Sequence, residues 1–380
     1  MPTVTQISDF VKRAANHAGF DLAGIAPVRD FGELEYFPEW IAAGNAGEMK
    51  YMEARDEHGR LKRASLKTSV PWAKSVIVCA INCNSPQPYS TQAQDPRLGW
   101  ISRYAWGHED YHDAVLRRLR TVEGKLKEAV TTSQHAAPSK NNSTGFSPLP
   151  TDRLQSRCYV DTGPLVERVY AKYAGVGWIG KNTCIINQKM GSWLFLGVIL
   201  TSVELESDSP APDRCGTCTR CIDACPTEAL TAPYQLDSNK CISYLTIEKR
   251  GAISQEIRPE MGRHVFGCDI CQDVCPWNRK APVTSAPELE PRPELVNPAL
   301  EWLAQMSAEE FRQVFRRSPV RRAKLSGLRR NAVIAMGNSG DRRFIPLLKK
   351  LFEDRDQVVA ECAKWVAEKI LDLRSAADFR

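Results

Sequence analysis

Residues 215–226 read CGTCTRCIDACP, which sets Cys215, Cys218, Cys221 and Cys225 at the spacing C-x2-C-x2-C-x3-C-P. Thiolates at that spacing hold [4Fe–4S] clusters, three of them on one cluster and the fourth reaching to another. Residues 268–276, CDICQDVCP, repeat the C-x2-C-x3-C-P end with Cys268, Cys271 and Cys275. The position where the first cysteine of that repeat should stand is Val265, and Cys241, between the two groups, can supply the missing ligand. The expected assignment is Cys215, Cys218, Cys221 and Cys275 on one cluster, and Cys225, Cys241, Cys268 and Cys271 on the second. Structural zinc also accepts four thiolates at C-x2-C spacing, but it does not call for a run closed by Cys-Pro and then partly repeated. Disulfides fit worse still.

Working outward, residues 207–285 form a ferredoxin-like domain for two clusters. Ahead of it, residues 1–206 read as a mixed α/β domain. Ile7, Phe10, Val11, Ala14 and Ala18 share a helical face, while Ser75–Asn82 (SVIVCAIN) is a short β-branched run expected to be a buried strand. Trp193–Leu205 is a second strand candidate, and Thr131–Pro150, rich in Ser, Thr, Asn and Pro, reads as a surface insertion. Five prolines from Pro282 to Pro298 mark a linker. Residues 286–380 then carry helical periodicity only: Leu328, Ala332 and Val333 share a face, as do Ile345, Leu348 and Phe352, and Val359, Cys362, Val366 and Ile370. Such helices resemble a HEAT-like repeat. Cys79 and Cys362 sit on apolar stretches as small core residues; spacing assigns no role to Cys83, Cys158 or Cys184.

With 43% hydrophobic and 25% charged residues among 380, neither a disordered nor a membrane class is favoured. No apolar run approaches the ~20 residues that cross a bilayer. The N-terminus shows no signal peptide or twin-arginine leader, so a cytoplasmic protein is expected, where clustered cysteines mean metal more often than disulfides. The net charge is +6, yet Phe311–Lys350 holds twelve Lys and Arg against one acid, Asp341. That skew points to a polyanionic partner. The candidate contacts are Arg316, Arg317, Arg321, Arg322, Arg329 and Arg330, mostly to phosphate, so that charge reversal at Arg329 and Arg330 should weaken binding.

Two motif matches fail on context. Gly175-Val-Gly-Trp-Ile-Gly180 spells G-x-G-x-x-G but follows a helical segment, whereas a dinucleotide site needs a strand before it. His108-Glu-Asp-Tyr-His112 spells the zinc-protease string H-E-x-x-H without the extended third histidine, and a protease would leave the cysteine block unexplained.

The chain as a whole resembles the epoxyqueuosine reductases. The resemblance is carried by GEMKYM (Gly47–Met52), SRYAWGHEDYH (Ser102–His112), VDTGPLVERVYAKYAGVGWIGKN (Val160–Asn182), the cysteine block, CISYLTIE (Cys241–Glu248), GCDICQDVCPWNR (Gly267–Arg279) and RRNAVIAMGNSG (Arg329–Gly340). It implies a nitroreductase-like N-terminal domain with cobalamin held between it and the cluster domain. It also implies a substrate, tRNA carrying epoxyqueuosine at the anticodon wobble position, and an unidentified low-potential electron donor. A monomer is expected. The aspartate of V-D-T-G-P, Asp161 here, would be the proton donor, although by itself the segment Asp161–Pro164 reads as a helix N-terminus with Asp161 as cap. Corrin contacts would fall on Arg63, Arg103, Tyr104, Lys181, Asn182 and Cys184, with Ser243, Glu248 and Asp269 on the cluster side. The string D-x-H-x-x-G, which supplies a lower histidine ligand in other cobalamin proteins, is absent.

Removing an epoxide oxygen to leave an alkene takes two electrons and two protons, and low-potential clusters deliver electrons one at a time. Two other functions share parts of this plan. A reductive dehalogenase would combine cobalamin and two clusters but does not call for a basic helical C-terminus. A ferredoxin-type electron carrier would not need the α/β domain.

Overall fold

The structure, a computed structural model, describes residues 3–135 and 154–377. Its strands are β1 (Leu22–Pro27), β2 (Ser75–Asn82), β3 (Trp100–Ile101), β4 (Ser156–Tyr159), β5 (Trp178–Ile179), β6 (Ile185–Ile186), β7 (Leu194–Thr201) and β8 (His264–Phe266). An antiparallel sheet in the order β1-β2-β7-β4 forms the N-terminal layer. All eight residues of β2 are buried, because the sheet is covered on both faces and the strand therefore reads as a continuous apolar run without alternation. Ile77, Cys79 and Ile81 face the helices Val4–His17 and Tyr111–His135 through Ile7, Val11, Val115 and Leu119. The intervening Val76, Val78 and Ala80 face Phe31, Leu34, Val169 and Tyr170 on the other side. Each large side chain so buried contributes about 1.5–3 kcal/mol.

Gly197 of β7 lets the helix Tyr111–His135 lie directly on the sheet, since an added Cβ would sit 2.7 Å from Val115 Cγ1 and 2.8 Å from Leu119 Cδ1. The first turn of this helix, carrying Tyr111 and His112, is thereby held against the strand ends. Thr131–His135 complete that helix, while the rest of the expected insertion lies outside the described residues.

The expected linker is instead a packed strap. Ala286 and Leu289 enter the N-terminal core and Leu295 the C-terminal one. Backbone bridges at Gly107–Pro291 and Leu98–Ala299 fasten it on both sides. Short turns begun by Pro287 and Pro293 place these apolar residues inward. The prolines therefore stiffen a chain crossing the surface of two cores.

Beyond it stand the helices Leu300–Gln305, Ala308–Val314, Lys324–Ser339, Ile345–Leu351 and Gln357–Ala377. Lys324–Ser339 is central and buried along nearly its whole length. Its core continues through Ile242, Leu245, Val265 and Phe266 to Ile101 and Trp106, and β3 pairs in parallel with β8. Residues assigned by sequence to three separate segments thus share one hydrophobic core.

Two assigned phosphate contacts belong to that core. Arg330 is 1% exposed, and its guanidinium donates to the carbonyls of Leu245, Lys249 and Gly251 at 2.7–3.0 Å. Arg329 forms two bonds with the Asp354 carboxylate and a third to Ala304 O. Arg330 is buried, and Arg329, half-buried, has its guanidinium held by Asp354 and Ala304 O, so both are structural and the prediction from their charge reversal concerns folding. The remaining four arginines are placed below.

Candidate active site

The two cysteine loops fold alike. In the first, Cys218 N donates to Cys215 O and Cys225 N to Ile222 O, around the single helical turn Arg220–Asp223. In the second, Cys275 N donates to Gln272 O after the turn Ile270–Asp273. Burial raises the Cys275 thiol, and its charged neighbours include Cys215 and Cys218. Cys221 is pushed up to about 11 by burial and by Cys275 and Cys215. On the other side, burial and the proximity of Cys241 and Cys225 raise Cys268, while Cys271 adjoins Cys268 and Cys241. Apart from Cys184, these neighbours fall within the two expected sets of four, thiol donors of the kind that hold [4Fe–4S] clusters. Cys184, on the turn between β5 and β6, is a ninth cysteine, adjoining Cys271 and also neighbouring Cys241 and Cys275.

A cavity of ≈ 860 Å³ opens beside the second group. Cys184, Cys241, Ser243 and Gln272 form its cluster side, and Met49, Leu165, Leu194 and Phe195 supply apolar wall. The volume lies at the upper end of ordinary cofactor pockets, and its mix of apolar wall and few polar groups is typical of them. It suits a large flat group such as a corrin.

Asp161 lines this cavity from the loop after β4, in the left-handed region with φ 57. It is not a cap: the following helix, Glu167–Tyr173, begins six residues later with Val166 at its N-cap and no side-chain capping bond. The Tyr111 hydroxyl donates to Asp161 Oδ2, and His112 Nε2 lies 3.8 Å from the same oxygen. His112 Nδ1 is held 2.8 Å from Asp110 Oδ1. Burial, reinforced by the charge of Asp161, keeps the Tyr111 hydroxyl protonated well above its ordinary pKa. Glu167, also on the cavity wall, is pushed up to about 7 by burial and by Asp161. Its Oε1 has no hydrogen-bond partner among the described residues.

Of the expected corrin contacts, Arg63, Tyr104, Cys184, Ser243 and Glu248 line the cavity. The other four do not. Arg103 is 4% exposed and bonded to Asn84 and the carbonyls of Ser85 and Gln87. Asp269 receives Ser102 Oγ and Arg103 N in the interior. Asn182 donates to Cys271 O and Lys181 to Gly216 O, so both brace the cysteine loops. Motif membership marked these residues, but their polar atoms are consumed in holding the loops that frame the cavity.

Arg316, Arg317, Arg321 and Arg322 reach the cavity wall together with Lys324. Arg322 pairs with Glu248 and donates to Tyr51 OH, which joins the basic helical segment to the expected corrin side.

Sequence reasoning missed Tyr111, His112 and Glu167 as site residues. The first two lay inside the string set aside as a zinc motif. Here His108 precedes the helix that begins at Tyr111, so the two histidines never share a helical face. Likewise Gly175 ends the helix Glu167–Tyr173 and precedes β5, as the rejection of a dinucleotide site required.

The fold and site define an iron–sulfur protein with two clusters beside a cofactor-sized cavity that carries an aspartate. Residues 214–278 match the family described as 4Fe-4S double cluster binding domain, and residues 63–143 match Epoxyqueuosine reductase QueG. The epoxyqueuosine reductase of Synechocystis sp. is 41% identical over 314 residues, covering 81% of this chain and 98% of that protein. That of Pseudomonas aeruginosa is 37% identical, covering 97% and 96%. A crystal structure of epoxyqueuosine reductase with an epoxyqueuosine-modified tRNA-Tyr stem loop superposes with a TM-score of 0.80 at 31% identity, over 97% of this chain and 91% of that one. The chain belongs to the epoxyqueuosine reductase family. No helix among the described residues is long and apolar enough to cross a membrane.

Proposed function

We propose that this protein reduces epoxyqueuosine to queuosine at the wobble position of tRNA, using cobalamin and two [4Fe–4S] clusters, with Asp161 as proton donor. The observation that carries the reading is that Asp161, Tyr111 and His112 line the same cavity as Cys241 and Cys184. Electrons and protons can thus meet on one bound base. Bound cobalamin would supply the nucleophile for the epoxide. Arg63, Tyr104, Ser243 and Glu248 would hold it, and Arg316, Arg317, Arg321 and Arg322 would take phosphates at the cavity. The balance is epoxide, two electrons and two protons giving alkene and water.

Within this chemistry, Asp161 protonates the oxygen as the ring opens, which lowers the barrier by avoiding a free alkoxide. Its side chain is 47% exposed in the protein alone, so the burial that keeps a carboxyl protonated would come from the bound corrin and base. Tyr111 orients the carboxyl through its donated hydrogen bond. Residues 1–206, 207–285 and 286–380 would carry cobalamin, clusters and tRNA respectively. We take the first as nitroreductase-like, the last as HEAT-like, and the whole as a cytoplasmic monomer fed by a low-potential donor.

The test is an anaerobic assay with reconstituted clusters, cobalamin, dithionite and tRNA containing epoxyqueuosine, followed by mass spectrometry of the nucleosides. Loss of one oxygen, dependent on cobalamin and on clusters, is expected. Its absence with both cofactors shown to be bound would sink the reading.

A further inference from the structure

The two cysteine groups are not equivalent with respect to the cavity. Cys241 of the second group lines it, as does Cys184; none of Cys215, Cys218, Cys221 or Cys275 does. The loop of the first group instead reaches the surface, where Gly216, Thr217 and Thr219 are exposed, while Cys275 is buried. This arrangement suits electrons that enter at the first cluster and pass through the second to the cavity.

The surface around that entry is basic. Arg214 precedes Cys215, Arg220 precedes Cys221, and Arg279 and Lys280 follow Cys275; all four are exposed. Lys189, also exposed, sits in the turn Asn187–Gly191. That turn packs on the same loop, since a Cβ on Gly191 would sit 3.0 Å from Ala281 Cβ and 3.2 Å from Trp277 O. None of these five cations has a carboxylate partner among the described residues. The acids on the same loops are Asp213, which accepts from Tyr234 OH and Cys215 N, Asp223, which accepts from Thr219 Oγ1, the exposed Glu228, and the half-buried Asp273. None of the five cations lines the cavity, whereas Arg316, Arg317, Arg321, Arg322 and Lys324 do. The protein thus has two separate basic regions, and only one adjoins the proposed substrate.

We propose that the region around Cys215, Cys218, Cys221 and Cys275 is the docking surface for the electron donor, a small acidic one-electron carrier protein. The proposal rests on the reductase reading above. Electron tunnelling falls steeply with distance, so the donor must seat over the exposed edge of the first cluster. Opposite charge is the means by which two proteins find that orientation quickly. Two reduced carriers are oxidised per epoxide, each giving one electron, while the two protons come from the site and solvent.

The probe is a reduced plant-type ferredoxin, an acidic carrier with a potential of about −400 mV. Lys189→Glu/Arg279→Glu/Lys280→Glu and, separately, Arg214→Glu/Arg220→Glu would be compared with the unaltered protein after cluster content is confirmed by absorbance. Three rates and two affinities would be read: cluster bleaching by ferredoxin without tRNA, cluster bleaching by dithionite, turnover with dithionite, ferredoxin binding, and tRNA binding. Expected are a ~10-fold or greater loss in ferredoxin-driven bleaching and in ferredoxin affinity at low salt, the loss shrinking as salt screens the charges. Dithionite-driven bleaching, dithionite turnover and tRNA affinity should stay unchanged. Equal ferredoxin rates and affinities in all variants would overturn the proposal. So would a loss confined to tRNA affinity, which would make the surface a second nucleic-acid contact. Failure of dithionite turnover in the unaltered protein would instead defeat the reductase reading and leave the bleaching comparison intact.

Discussion

His112 Nε2 faces Asp161 Oδ2 across 3.8 Å, while Nδ1 of the same ring is held 2.8 Å from Asp110 Oδ1. An aspartate that gives up a proton must regain one, and an imidazole anchored from behind by a second carboxylate is suited to return it. Asp161→Asn is expected to keep both clusters and the fold but to slow deoxygenation by ~10²–10⁴-fold. His112→Ala should slow single turnovers by ~10-fold or more and shift the pH profile, with cobalamin binding unchanged. A full rate in His112→Ala would remove the histidine from the proton path, and a full rate in Asp161→Asn would remove the aspartate.

Glu167 gives a pH dependence of stability. Its carboxyl is raised from 4.5 to about 7 in the folded chain, so between those values the unfolded chain releases a proton that the folded chain keeps. Stability then falls as pH rises through that window. Glu167→Gln should abolish this component. Denaturant unfolding of cobalamin-free protein should show the variant gaining on the order of 3 kcal/mol over the parent near pH 7.5 and almost nothing at pH 4. An unchanged difference at the two pH values would mean the carboxyl ionises normally.

The arginines of the helical segment should separate into two groups. Arg330→Met leaves the carbonyls of Leu245, Lys249 and Gly251 without their donor and is expected to cost about 3–5 kcal/mol, read as a lowered denaturation midpoint. Arg316→Glu/Arg317→Glu should leave that midpoint in place and weaken tRNA binding, with a shallower dependence on salt. The reverse pattern would return Arg330 to the tRNA surface.

Cys184 adjoins Cys271 without belonging to either group of four. Cys184→Ala is expected to retain the iron and sulfide of two clusters with an altered spectrum or potential of the second. Cys225→Ala should lose the second cluster. Loss of a cluster from Cys184→Ala would make Cys184 a ligand.

Much of the fold was legible because it depends on local pattern. Ser75–Asn82 is apolar at every position, and the strand β2 occupies those residues. The first helix, expected from Ile7 and Val11, forms at Val4–His17. The proline strap was misread because proline reports stiffness and turning, and whether a stiff segment packs depends on cores that lie elsewhere in the chain.

The cysteine pattern by itself determined the chemistry of this protein, since thiolate spacing within one short loop constrains which metal group can be held. Charge composition marked a basic helical segment, but composition cannot tell a solvated guanidinium from a buried one. Arg330 lies inside the core and Arg322 on the cavity wall, though they are eight residues apart on one basic stretch. Tertiary structure alone decided that, and it alone brought His112 to Asp161 and Cys184 to Cys271. Those pairs are set by how the long helix rests on Gly197 and how the turn between β5 and β6 meets the second cysteine loop, contacts between segments far apart in the chain that no local spacing records.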